Sequence, residues 1–314
     1  MTYYIARRLA SMIPVLVTIG VVTFVIIHLT PGNPAEVILG NQATAAQVAQ
    51  LSRALGLNRP LWQQFVIWFS NAIQGNLGNS IFYEQPVLQV VMSHLLPTLT
   101  LAALSTVVSL AAAVPIGLLA AWRKGSWLDR LLVSLSLLGV SVPAFWLAFM
   151  VILVFSVSAG LLPVAGYVPL SDGFLPWAAH LVLPVAVLAS GQCAIIARML
   201  RDGTLESLRQ PYIRTARAKG ASERAVLLSH ALPNAAIPTL TIVGNSLASL
   251  LSGVVVVEVV FGIPGLGNLI IQAMENRDYP LIEGVTLVVA IIYVAVNLFV
   301  DLLYALADPR VRLG

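Results

Sequence analysis

Four histidines, His28, His94, His180 and His230, and one cysteine, Cys193, are the side chains of this sequence best suited to metal or nucleophilic chemistry. Their spacing does not supply it. No H-x-x-x-H pair occurs and no carboxylate accompanies a histidine on a helical face, so neither a zinc protease nor a di-metal site is written here. Cys193 has no partner, which excludes a disulfide framework and a thiolate metal site and leaves a small packed thiol. The only lysines are Lys124 and Lys219, and neither follows a glycine, so there is no Walker A loop. The run GIPGLG at 262–267 fails the dinucleotide spacing, because the third glycine falls on Ile270; it reads as an external turn. Glu258, Glu283 and Asp301 fall near or within the ends of apolar stretches, where ionised groups face protein or water. Packing and the lining of a path are both open to them.

The stretch Thr215–Asn234, TARAKGASERAVLLSHALPN, stands apart from this background. Pro211 is suited to the first position of a helix running to about Lys219. Gly220 suits the left-handed residue that closes such a helix. Ser222 can cap a second helix, although no capping box forms, since the acid is Glu223. That helix continues through Leu227, Leu228 and Leu232 towards Pro233. Arg214, Arg217 and Lys219 flank the small residues Ala216 and Ala218. Small side chains admit close approach by another surface, and cations orient it. A basic loop that merely obeys membrane topology would look the same in isolation.

The elements that carry these residues are set by oil. Of 314 residues, 59% are hydrophobic and 10% charged, too apolar for a soluble globule. Uncharged runs cover Leu9–Ala35, Gln85–Trp122, Leu131–Ser171, Gly173–Ala197, Ala225–Val257 and Gly284–Val300. A span needs roughly 20 apolar residues, and the expectation is six, near 10–30, 98–121, 131–157, 177–199, 237–257 and 284–306. Asp301 interrupts the last. The first follows Arg7 and Arg8 without a cleavage site, so it reads as an uncleaved membrane helix. With the N-terminus inside, the chain's 17 Lys and Arg residues all lie in or beside cytoplasmic segments except Arg53, Arg59 and Arg277. That is the positive-inside bias. The net charge of +4 therefore reports topology and anionic lipid contact, not nucleic-acid binding.

Four regions follow: 1–30, the cytoplasmic start and first span; 31–97, an external loop with short helices; 98–306, a five-helix core containing the cytoplasmic region 200–236; and 307–314, a cytoplasmic tail. Within 44–74 the apolar residues Val48, Leu51, Leu55, Leu61, Phe65, Trp68 and Phe69 keep helical spacing, divided by Gly56 and Pro60. Trp62 and Trp68 suit the membrane interface or contact with a partner. Pro115, Pro143 and Pro184 bend helices inside the core, tolerable only where protein or a wet cavity re-satisfies the freed carbonyls.

These residues resemble the inner-membrane permease subunits of ATP-binding-cassette importers, in the dipeptide/oligopeptide/nickel branch. The family's cytoplasmic signature is E-A-A, three residues, G, nine residues, I-x-L-P. Gly220, Leu232 and Pro233 match it. The E-A-A positions fall on Arg214, Thr215 and Ala216, so only the last matches, and His230 stands at the isoleucine. RTARAKG followed by LPNA is similar to the peptide-importing form. The likeness continues in PGNP at 31–34, LGLNRPLWQQF at 55–65, GNLGNSI at 75–81, GVSVPAFWLA at 139–148, VVVVEVVFGIPGLG at 254–267, RDYPLIEG at 277–284 and NLFVDLLYALADPRVR at 297–312.

The resemblance implies an all-α membrane protein with six transmembrane helices, the type I importer permease fold, and a cytoplasmic coupling helix. Arg214, Thr215, Ala216, Arg217, Ala218, Lys219, Gly220, Leu232 and Pro233 would form the ATPase-coupling region. Pro143, Phe145, Trp146 and Glu258 are candidates for a path or gate. No cofactor or metal is expected on this chain; ATP and magnesium belong to two partner ATPase subunits or domains. A second homologous permease subunit and an extracytoplasmic solute-binding protein are the other implied partners, in a bacterial inner membrane with both termini cytoplasmic. Di- or oligopeptides lead as cargo, with glutathione, a nickel chelate or another small solute as alternatives. From the residues alone, a membrane enzyme and a non-transporting receptor or assembly protein also stand as readings.

Overall fold

The computed structural model describes residues 2–29, 35, 39, 43–54 and 56–307. The PGNP turn at 31–34, Leu55 and tail residues 308–314 lie outside the described residues. Helices carry the fold, and the only β pairing among the described residues is an isolated bridge between Asn79 and Pro86. Among the described residues, four helical stretches are long and apolar enough to cross a membrane: Val87–Trp122, Phe174–Leu208, Glu223–Leu247 and Tyr279–Leu302. The bent pair Ser252–Phe261 and Leu266–Glu275 makes a fifth if it is one span. The chain is an all-α, multi-pass membrane protein.

Packing divides it into two units. The first joins residues 1–96 to 264–295. It holds α1 (Thr2–Leu29), α2 (Ala45–Ala54), α3 (Leu61–Ile73), the start of α4 (Val87–Trp122), α10 (Leu266–Glu275) and the start of α11 (Tyr279–Ala307). α3 lies on α1 through rings: Phe24 meets Phe65 edge-on at 5.4 Å, and Phe65 stacks on Phe69 at 5.6 Å. Gly20 lets the Trp68 ring approach α1, so Trp68 is packed against protein while Trp62 stays exposed. A second cluster gathers Val87, Val91, Leu266, Leu269, Leu281 and Val285.

A carboxylate closes that unit's polar end. Asp278 is fully buried and precedes α11, where its Oδ1 accepts from Leu281 N at 3.2 Å. Its Oδ2 accepts from Ser80 Oγ at 2.5 Å and from Phe82 N at 3.0 Å. One side chain thus satisfies a helix start and a loop 198 residues away in sequence. Flanking residues Glu84 and Arg277 take left-handed backbone, φ 52° and 53°, which non-glycine residues adopt at a cost.

The second unit holds residues 97–263 and 296–314. Beyond the rest of α4 it contains α5 (Trp127–Ser141), α6 (Ala144–Val151) continuing as a π-helical turn Ile152–Ser158, α7 (Phe174–Leu208), α8 (Pro211–Ala218) and α9 (Leu232–Phe261). α7 and α9 form the most extensive helix pair, with Leu181, Val185, Leu188, Leu250, Val254 and Phe261 in its core. Small residues set the closest crossings. A Cβ on Gly117 of α4 would lie 2.7 Å from the Ala197 carbonyl oxygen of α7.

The expected span near 131–157 is not one helix. It breaks after Ser141, where Val142 is extended at φ −81°, ψ 122° and Pro143 opens α6. Proline has no N–H to give the preceding turn, and its ring pushes the residue before it out of helical geometry.

Candidate functional site

The basic elbow between α7 and α9 is built from local rules. Gln210 is extended, Pro211 takes the first helical position, and α8 ends at Ala218. Gly220, at φ 87°, closes it: Gly220 N donates to Arg217 O at 2.9 Å and Ala221 N to Ala216 O at 3.1 Å. This paired closure is why a glycine stands there. Ser222 then caps the next turn, its Oγ accepting from Ala225 N at 3.3 Å.

From Glu223 the chain does not form a separate short helix ending near Pro233, as the sequence suggests. One α-helical turn passes into a π turn, Val226–Ala231, and directly into α9. The wider turn falls where the Pro233 ring would otherwise collide with the Ser229 carbonyl.

Ile213, Val226 and Ala231 are buried beneath the elbow. Leu232 packs with Leu118, Leu200, Leu227 and Ala235. Tyr212 is tied to the start of α9, its hydroxyl accepting from Asn234 Nδ2 at 3.0 Å. Above this base Arg214, Thr215, Arg217, Ala218, Lys219 and Gly220 are exposed, Ala216 is half-buried, and Pro233 is exposed. Arg217 grips Glu223 with two parallel bonds, Nε to Oε1 at 2.7 Å and Nη2 to Oε2 at 2.9 Å. The result is a rigid cationic knuckle, anchored from below and open above.

A second clamp joins the start of α5 to α7. Asp129 accepts from Arg201 Nε at 2.5 Å, from Arg201 Nη2 at 2.9 Å and from Gly125 N at 2.8 Å. Arg201 holds the Asp129 carboxyl below the ordinary carboxylate range, against the opposing push of burial. Among the described residues, no group of three or more His, Cys, Asp or Glu side chains is placed to hold a metal ion.

A cavity of about 330 Å³ opens between α5, α6, α7 and α9, lined by residues including Ala144, Leu147, Leu188, Gln192, Asn245 and Leu250. Pro143, Phe145, Trp146 and Glu258 do not line it. Phe145 and Trp146 are half exposed, while Glu258 is fully buried and accepts from Thr98 Oγ1 at 2.6 Å. Asn245 and Ser249, one helical turn apart in an apolar stretch, were the legible sign of this face.

Two family models match the chain. The "binding-protein-dependent transport system inner membrane component" matches residues 113–313, and the N-terminal membrane component of the same systems matches residues 1–102. The chain belongs to this family. It is a transport-system component, not an enzyme. It is 46% identical to a probable peptide ABC transporter permease of Sinorhizobium fredii, over 99% of this chain and 100% of that one. It is 38% identical to the dipeptide transport system permease DppB of Escherichia coli K12, over 99% of each. A crystal structure of an amino acid ABC transporter with histidines shares the fold, with TM-score 0.51 and 20% identity over 71% of this chain and 94% of that one.

Proposed function

We propose that the chain is the membrane-spanning permease subunit of an ATP-driven importer of di- and oligopeptides. The full-length relatives that bear peptide and dipeptide permease names support the cargo. The observation that carries the coupling role is the elbow: an exposed cationic helix, fixed by buried Ile213 and by Gly220, stands between the two most closely packed helices. On this reading α8 is the coupling helix. It docks on one of two ATPase subunits, which bind ATP and magnesium, and their closure moves α7 and α9 together.

Six crossings complete the proposal. To the long apolar helices it adds α1, whose apolar stretch is Ala10–Ile26, and the broken segment near 131–157. Both termini lie in the bacterial cytoplasm, as the distribution of cations supports. The external segment 31–97 receives a solute-binding protein, and a second homologous permease completes the path.

Co-reconstitution with these partners in sealed vesicles tests the reading. ATP-dependent uptake of a labelled dipeptide is expected, and Gly220→Pro should abolish it without loss of the assembled complex. Uptake of glutathione or a nickel chelate in place of peptide would reassign the cargo. Cleavage of a peptide by the chain alone would overturn the reading.

A further inference from the structure

The turn between α4 and α5 reads Trp122-Arg123-Lys124-Gly125-Ser126-Trp127, and Arg130 follows one turn into α5. Both indoles are on the outside, Trp122 at 47% and Trp127 at 69% exposure, and the three cations are exposed with them. Indoles flanking the end of an apolar helix sit at the headgroup level of a bilayer.

Charge in the turn is unbalanced by construction. Its one carboxylate, Asp129, is buried and already committed to Arg201 and to Gly125 N. Among the described residues none of Arg123, Lys124 and Arg130 forms a salt bridge: Lys124 feels Asp129 only as a nearby charge, and Arg130 donates to the Gly125 carbonyl at 3.4 Å. Nor is the turn slack. Gly125 is left-handed at φ 79°, Ser126 N donates to Arg123 O at 3.0 Å, and Ser126 Oγ caps α5. Three cations are therefore displayed on a braced frame between two interfacial rings.

From this arrangement we infer that the α4–α5 turn binds the phosphate headgroup of an anionic phospholipid, with Arg123, Lys124 and Arg130 on the headgroup and Trp122 and Trp127 beside the acyl boundary. A membrane surface fits better than an acidic protein face, because the exposed rings lie at the end of a span. A positive-inside bias alone asks only for cations on one side. It does not ask for a capped turn whose acid has been withdrawn into a second pair. Through that pair, Asp129 with Arg201, the occupied turn is joined to the part of α7 that leads into the elbow, which gives lipid charge a route to α8. The inference is independent of the cargo.

The test uses the full chain in phosphatidylcholine vesicles carrying either brominated phosphatidylglycerol or brominated phosphatidylcholine at one mole fraction. Subtracting the fluorescence of a W122F/W127F variant isolates the two turn indoles. Brominated phosphatidylglycerol should quench them more strongly. Each cation neutralised in R123Q/K124Q should lower the apparent lipid affinity about fivefold, with Asp129 and Arg201 intact. Should the double variant fold poorly, Lys124→Gln alone decides the point with about a fivefold loss. Equal quenching by the two lipids, or a preference unchanged in these variants, would overturn the inference. Cancellation of the preference by inorganic phosphate would also overturn it, by assigning the cations to free anions.

Discussion

Arg217 and Glu223 hold each other across the Gly220 turn, guanidinium to carboxylate, at 2.7 and 2.9 Å. Their side chains are 44% and 56% exposed, so water and salt screen the attraction and it adds little to stability. Its effect is to fix where the Arg217 head stands on α8. Arg217→Glu should therefore leave the melting temperature of the purified chain nearly unchanged while reducing ATP-driven uptake by the assembled transporter. A large drop in melting temperature would instead make the pair a support of the fold.

Gly220 has nothing within 4 Å of where a Cβ would stand, so substitution there meets backbone strain alone. Gly220→Ala should weaken the closed turn by about 1–2 kcal/mol. Hydrogen exchange checks this: amides at Gly220 and Ala221 should exchange faster, and those in the interior of α7 should not.

Asp129 is the counterpart in which burial matters. It is 4% exposed and its partner Arg201 is 18% exposed at the side chain; Arg201 also donates through Nη1 to Asp202 at 2.6 Å, so losing Asp129 takes away its buried partner and leaves it a second, more exposed carboxylate. Asp129→Asn should cost about 1.5–3 kcal/mol, read as a fall in melting temperature in detergent. The sign with pH follows from the depressed carboxyl. Its contribution is full above the unfolded value of about 4 and is lost as pH falls through the lower folded value. Melts taken downwards from neutral pH should show an acid-side loss in the parent that is reduced in Asp129→Asn.

Asp278 makes a third case. Ser80→Ala removes one of its donors and should cost about 1 kcal/mol, while Asp278→Ala also uncaps α11 and should cost about 2–3 kcal/mol. Limited proteolysis should then cut the loop around Ser80–Glu84 sooner in both variants, and sooner still in the second. Equal resistance in all three proteins would contradict the clamp.

Crossing geometry gives a further prediction. Gly117→Ala places a methyl group against the Ala197 carbonyl, which is backbone and cannot rotate away. A loss of about 1–3 kcal/mol is expected, measured by thermal unfolding. Ala→Gly at exposed Ala236 is the control for helix propensity alone, expected near 1 kcal/mol.

What could be read from the sequence was what is local. Pro211 at a helix start, Gly220 in left-handed backbone and Ser222 as a cap each depend on a few neighbours, and all three stand as the residue types dictate. The apolar runs gave the long membrane helices for the same reason. Pro143 announced a bend, but not that the helix would stop and restart. Pro233 announced an end, yet a π turn carries the helix past it, a tertiary solution that no propensity contains. Asp129 with Arg201 and Asp278 with Ser80 were hidden because the partners lie 72 and 198 residues apart. Acidic residues beside apolar runs could be flagged, but only the packed helices show what they hold.

The claim on which the account depends is that the face of α8 bearing exposed Ala218 looks into the cytoplasm, towards the ATPase. A membrane-impermeant maleimide applied to Ala218→Cys, with Cys193 replaced by serine, measures this directly. The account predicts no labelling in sealed cells, labelling once they are broken, and protection when the ATPase subunits are assembled. Labelling of Ala218→Cys in sealed cells would contradict it.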